Sequence, residues 1–264
     1  MDSLDLRGDG YASPPQNLGP LARISPTLAF YSRFMPIVFR SSREAKRGEY
    51  HDARWAESSV HTIRALEAAG VRIEVQGISH YRDLDGPCVF VGNHMSMCET
   101  VVLPGFVQPL KPITFVVKES LVRYPVFCHV MRSRDPIVVT RTNPRADLKA
   151  MLGGGMRRLE AGRSIVVFPQ TTRTTVFDRS QFNSIGVKLA ARAGVPVIPV
   201  AVRTDAWALA RWFIKDLGRI DPRKTVHIAF GEPLRVRARG DEEQQAVIDF
   251  IRRHLESWGL DTVR

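Results

Sequence analysis

Cysteine is scarce in this 264-residue chain: Cys88, Cys98 and Cys128 stand alone, and no two share a C-x-x-C spacing. An odd set of thiols in apolar stretches argues against a disulfide or metal framework and for reduced cysteines in a cytoplasmic setting. Long apolar runs are missing too. The nearest, Leu28 to Phe39, is interrupted by Arg33 and Pro36, so no helix of the ~20 apolar residues that span a bilayer is expected. Residues 1–20 lack the basic start and apolar stretch of a secretory signal and read as a flexible lead. Gly153-Gly154-Gly155 has no strand directly before it and no G-K-[ST] ending, which excludes a phosphate loop and leaves a helix irregularity.

What the sequence has in surplus is positive charge, a formal +11 at pH 7. Such a surface attracts phosphate, whether on nucleic acid, anionic lipid or a phosphorylated substrate. The basic residues are spread without zinc-ligand spacing, an RNA-binding strand signature or a basic region with heptads, so nucleic acid is not the expected partner. From Ile24 to about Lys46 they alternate with Leu28, Phe30, Tyr31, Phe34 and Phe39. That mixture suits a helix lying in a membrane interface, and equally a core helix with a basic outer face.

A second helix from about Asp52 to Ala69 carries Val60, Ile63 and Leu66 on one stripe, with Gly70 placed to end it. β-rich runs follow at 71–77, 87–92, 113–118, 136–141, 164–169 and 195–202, separated by helical stretches, and 225–234 reads as a further strand and turn. Asn143 with Pro144 opens one of those helices and Gly194 closes the next. An amphipathic helix is expected from Asp241 to Trp258. This alternation predicts an α/β fold, with a mostly parallel central sheet flanked by helices and an N-terminal helical pair. The expected division is a lead at 1–20, a membrane-associating helical segment at 21–70 and an α/β domain at 71–264.

Polar clusters close several of these runs, where ligands of open α/β sheets bind. His94 and Glu99 follow the strand ending at Gly92, and their five-residue separation keeps them apart on one continuous helix. With His94 in the preceding loop, Glu99 can reach back to one imidazole nitrogen and leave the other free to take a proton. Lys118 and Arg141 end two further runs, and Gln170-Thr171-Thr172-Arg173 follows another. Arginine suits phosphate because its planar fork donates paired, charge-assisted hydrogen bonds. The threonines equally suit satisfaction of turn backbone, and Cys98 reads as buried filler rather than a nucleophile.

The ordered set NHMSMCE, PIVVTR, FPQTTRT and VPVIPV resembles the four successive blocks of the glycerolipid acyltransferase superfamily, over roughly residues 70–235. The resemblance implies acyl transfer from acyl-CoA or acyl carrier protein to a hydroxyl of a lysophospholipid-like acceptor, at the cytoplasmic face of a membrane and with no metal or other cofactor. It implies His94 as general base, Glu99 as its orienting partner, and Arg141 and Arg173 at the acceptor's phosphate. Lys118, Gln170, Thr171 and Thr172 join them as candidate substrate-binding residues. Pro196 and Pro199 of the fourth block are expected to be structural. The chain departs from the pattern at Glu99, where the family usually has Asp, and at F-P-Q-T-T-R, where it usually has F-P-E-G-T-R. A thioester hydrolase on the same fold is the rival reading, in which His94 would activate water.

Overall fold

The β-rich runs and intervening helical stretches condense into one sheet with helices on both faces. The computed structural model describes residues 3–140, 142–170, 172–210 and 217–263. Arg141 and Thr171, assigned above to substrate binding, lie outside the described residues. The chain runs through β1 (Gly10–Ala12), α1 (Pro20–Ile24), α2 (Pro26–Lys46), α3 (Asp52–Ala68), β2 (Ile73–Gln76), α4 (Ser79–Arg82), β3 (Val89–Gly92) and α5 (Cys98–Val107). It continues with β4 (Ile113–Lys118), α6 (Phe127–Ser133), β5 (Ile137–Val139), α7 (Pro144–Glu160), β6 (Ser164–Val167) and β7 (Phe177–Asp178). α8 (Ile185–Ala193), β8 (Val197–Arg203), β9 (Val226–Phe230), α9 (Asp241–Ser257) and β10 (Thr262–Val263) complete it.

The main sheet has eight strands in the order β1-β2-β9-β8-β3-β6-β4-β5. Pairing is parallel from β8 through β5 and between β2 and β9, and antiparallel at β1–β2 and β8–β9. The mostly parallel α/β architecture expected from the sequence is therefore the one observed. Parallel strands covered on both faces must be apolar on both, and β3 and β6 are buried along their whole length. Alternation divides their side chains between two cores. Phe90 and Val166 join Phe30, Phe34, Ile63 and Leu66 from α2 and α3. Val89, Val91 and Ile165 meet Leu189, Val247 and Ile251 from α8 and α9 on the other face.

Three expectations are corrected. Residues 3–20 are not a loose lead: Leu4 and Leu6 are buried, and β1 pairs with β2 to become the edge strand of the sheet. Their role follows from Glu67, a buried carboxylate that needs donors; the Tyr11 hydroxyl gives one at 2.5 Å and Ser13 Oγ another at 2.7 Å. The helical segment 21–70 is likewise no separate unit, because its inner face builds the same core as β3 and β8. Finally, the three glycines cause no irregularity in α7. A Cβ on Gly155 would stand 2.7 Å from Leu189 Cδ1 and Cδ2, so the missing side chain lets α7 and α8 pack closely.

Candidate active site

β3 ends at Gly92, where a Cβ would meet the Val200 carbonyl oxygen at 2.9 Å, so only glycine allows β8 to approach this closely. Asn93 then prolongs the ladder with its side chain. Its Nδ2 donates to the Val202 carbonyl and its Oδ1 accepts the Val202 N–H, both at 2.8 Å. Residues 93–97 form the loop before α5, and Glu99 lies in that helix's first turn. His94 is thereby turned back over the helix start, as its five-residue separation from Glu99 requires.

His94 Nδ1 lies 2.7 Å from Glu99 Oε1. Oε1 also accepts the N–H groups of Met95 at 2.7 Å and Ser96 at 3.0 Å, while Oε2 accepts the Thr204 hydroxyl at 2.5 Å and the Ser96 hydroxyl at 3.1 Å. Burial alone would push the Glu99 carboxyl up. The hydrogen bond and charge of His94, with the Thr204 hydroxyl and the Ser96 amide, outweigh it and hold the carboxyl below its ordinary value. An ionised carboxylate only accepts, so the imidazole proton resides on Nδ1 and the Nε2 lone pair is left outward.

Toward that lone pair points the Arg173 Nε–H, at 3.3 Å. The loop after β6 holds the histidine from three further sides. Gln170 Oε1 accepts the His94 N–H at 2.7 Å, the Thr174 N–H donates to the His94 carbonyl at 3.0 Å, and Phe168 stacks on the imidazole with centroids 4.6 Å apart and planes 6° apart. Gln170, expected to touch substrate, is buried with its side-chain oxygen engaged on the histidine's own backbone. Thr172 and Lys118 are exposed and line the same cavity as His94 and Arg173. Thr174 Oγ1 accepts the Val176 N–H at 3.2 Å, the turn-satisfying role foreseen for these hydroxyls.

The cavity measures about 530 Å³ and is walled chiefly by apolar groups of α2, α3, α5, β4 and α6. A row of rings leads inward: from His94 to Phe168, from Phe168 to Phe115 at 6.2 Å, and from Phe115 to Trp55 at 5.9 Å. At its far end the Arg134 guanidinium lies over Trp55 and Tyr50, 5.6 and 5.2 Å from their ring centroids. Cys98 is wholly buried, and burial with the neighbouring Glu99 pushes its thiol well above the ordinary range. It stays protonated and is no nucleophile. Among the described residues no group of three His, Cys, Asp or Glu side chains could hold a metal ion.

The strand-end reasoning thus brought together His94, Glu99, Lys118, Thr172 and Arg173, and it missed Asn93, Ser96, Phe168 and Thr204. Thr204 follows β8 directly, so the same rule applied to that strand's end would have found it.

The protein family described as Acyltransferase matches residues 72–203, half of the chain. A 1-acyl-sn-glycerol-3-phosphate acyltransferase of Pseudomonas aeruginosa is 28% identical over 241 residues, 91% of this chain and 81% of that protein. The chloroplastic 1-acyl-sn-glycerol-3-phosphate acyltransferase BAT2 of Brassica napus is 26% identical over 63% of this chain, which spans 46% of that relative. The crystal structure of the 1-acyl-sn-glycerophosphate acyltransferase PlsC from Thermotoga maritima shares the fold, with a TM-score of 0.64 at 22% identity over 88% of this chain and 94% of that one.

Proposed function

The chain belongs to the acyltransferase family, and on that premise we propose that it transfers a fatty acyl group from acyl-CoA or acyl carrier protein to the free hydroxyl of 1-acylglycerol 3-phosphate or a closely related anionic glycerolipid. His94 is the general base and Glu99 its orienting partner. The acceptor oxygen attacks the thioester carbonyl carbon as its proton passes to His94 Nε2. The carbon–sulfur bond of the resulting tetrahedral adduct then breaks, and the departing thiolate takes that proton back. Glu99 holds the tautomer and stabilises the transient imidazolium. Arg173 and Lys118 receive the acceptor's phosphate, a role the family resemblance also gives to Arg141. The apolar cavity takes the acyl chain.

The observation that carries this reading is the Nδ1–Glu99 bond of 2.7 Å beside a cavity whose lining includes both His94 and Arg173. The membrane role rests on α1 and α2. Their inner face is core, whereas Ile24 is 85% exposed and Leu28 and Phe39 more than half exposed, among exposed Arg23, Arg33 and Arg40. The protein accordingly works as a peripheral enzyme, its outer helical face on the cytoplasmic surface of the bilayer.

Purified protein supplied with either thioester donor and 1-acylglycerol 3-phosphate is expected to form phosphatidate, read by mass spectrometry. Thioester loss without a lipid product would establish the hydrolase instead. Because the inner face of α2 is core, the membrane role is tested by point changes: Ile24→Ser with Leu28→Ser should weaken flotation with anionic liposomes, and undiminished flotation would refute the docking face.

A further inference from the structure

The outward nitrogen of the base has a partner within the protein itself. Arg173 Nε–H donates to His94 Nε2 at 3.3 Å, and the lone pair that receives it is the one a reacting hydroxyl or water must use. While that bond stands, protonating Nε2 would both break it and set an imidazolium against a guanidinium, two like charges in a largely buried site. The donor geometry is steady, because the loop bearing Arg173 is fastened to His94 by the Gln170 and Thr174 bonds. Arg173 also lines the cavity in which both substrates must meet.

We propose that Arg173, besides receiving the acceptor's phosphate, caps the catalytic base until that anionic group draws its guanidinium away, so that acyl thioester is spared hydrolysis in the acceptor's absence. The proposal rests on His94 being the general base. An acceptor phosphate offers paired, charge-assisted hydrogen bonds, stronger than a single bond to a neutral imidazole nitrogen, so the exchange runs toward the phosphate. The same event seats the acceptor and frees Nε2. With the cap in place a water molecule in the cavity has no base. With it removed, water attacks the thioester carbonyl carbon, Nε2 takes its proton, the carbon–sulfur bond breaks, and fatty acid and thiol leave once that proton reaches the thiolate. The anionic group of the acceptor therefore governs kcat as well as KM.

Two measurements test this. In the first, palmitoyl-CoA is supplied without acceptor. Arg173→Ala and Arg173→Gln, checked for wild-type circular dichroism, should hydrolyse it about five-fold faster than wild type, the factor matching roughly 1 kcal/mol of hydrogen bond released from Nε2. Hydrolysis equal to or slower than wild type in both folded variants overturns the cap. In the second, the wild-type enzyme receives monoacylglycerol, which has the hydroxyl and no phosphate, with and without inorganic phosphite. Phosphite should raise kcat for wild type and leave Arg173→Ala unchanged; a wild-type kcat indifferent to phosphite overturns the proposal even if the variants prove unstable. Adding His94→Ala to Arg173→Ala separates the two layers. Loss of the extra hydrolysis upholds His94 as the base, whereas its persistence would remove that assignment, on which the cap depends.

Discussion

Among the described residues, His94 with Glu99 and His227 with Glu74 are two histidine–glutamate pairs in which the imidazole stacks on an aromatic ring and an arginine lies close by, yet their surroundings differ. His94 rests on Phe168 and meets Glu99 at 2.7 Å. His227 rests on Trp258, with centroids 5.0 Å apart, and meets Glu74 at 3.2 Å across the β2–β9 register. The Glu99 side chain has no exposed surface and several donors aimed at it, whereas the Glu74 side chain is half exposed. Around His227, burial pushes the imidazole below its ordinary pKa, and repulsion from Arg203 and Arg72 adds to this against the attraction of Glu74. The pairing of residue types is therefore the same at both places, and the difference lies in what surrounds each carboxylate.

The sharpest way to break this contrast is to remove each histidine in turn. His94→Ala should cost transfer about 10²- to 10⁴-fold, the range of a positioned general base, with the fold retained by circular dichroism. His227→Ala should leave the rate near that of wild type. Comparable losses at both positions would erase the distinction, and so would substantial transfer by the His94 variant.

Stability separates the carboxylates by a smaller effect. Glu99→Ala strands the amides of Met95 and Ser96 and the Thr204 hydroxyl, and at ~1–3 kcal/mol for each buried donor left unpaired the loss should reach about 3 kcal/mol or more in urea unfolding. Glu74→Ala should cost no more than about 1 kcal/mol, since its half-exposed contact with His227 is screened by solvent. The pH dependence differs as well. Glu99 has a lowered folded pKa, so its contribution is present above the unfolded carboxylate value near ~4.3 and is lost as pH falls through the folded one. His227 is also lowered, so the unfolded chain binds its proton first and stability declines as pH drops below ~6.5 toward the folded value. Thermal melts between those two ranges should flatten in His227→Gln and keep their slope in Glu99→Gln; the reverse pattern would exchange the roles assigned to burial at the two sites.

Much of the contrast is legible in the sequence. Strand ends that stop at polar residues pointed to His94, Lys118 and Arg173, and a separation impossible on one helix placed His94 in a loop. Thr204 stands two residues past the apolar run at 195–202, and its hydroxyl finds Glu99 only after β8 has paired with β3. β1 escaped for a similar reason: three residues among glycine, aspartate and proline carry no period, and what orders them is a buried carboxylate at Glu67 far along the chain. Gly155 was misjudged because its value lies in a helix packing against it, which periodicity cannot report. α2 left two readings open in sequence, and its structure shows why: one face is core and the other carries exposed apolar groups among arginines.

The smallest expected effect concerns how each histidine's backbone is held. His227 sits inside β9, between β2 and β8, where the strand ladders satisfy its main chain without help from a side chain. His94 has left its strand, and its N–H depends on Gln170 Oε1. A neutral amide oxygen is enough for a neutral donor, so glutamine at 170 satisfies the His94 N–H without carrying charge. Gln170→Glu keeps an acceptor at the same position and should alter kcat by no more than about three-fold, whereas Gln170→Leu leaves a buried N–H unpaired and should lower kcat by about five-fold or more as the loop drifts. Full activity in Gln170→Leu would mean that the Thr174 bond and the Phe168 stack alone suffice to hold the imidazole. The two histidines would then differ only in the carboxylates they face.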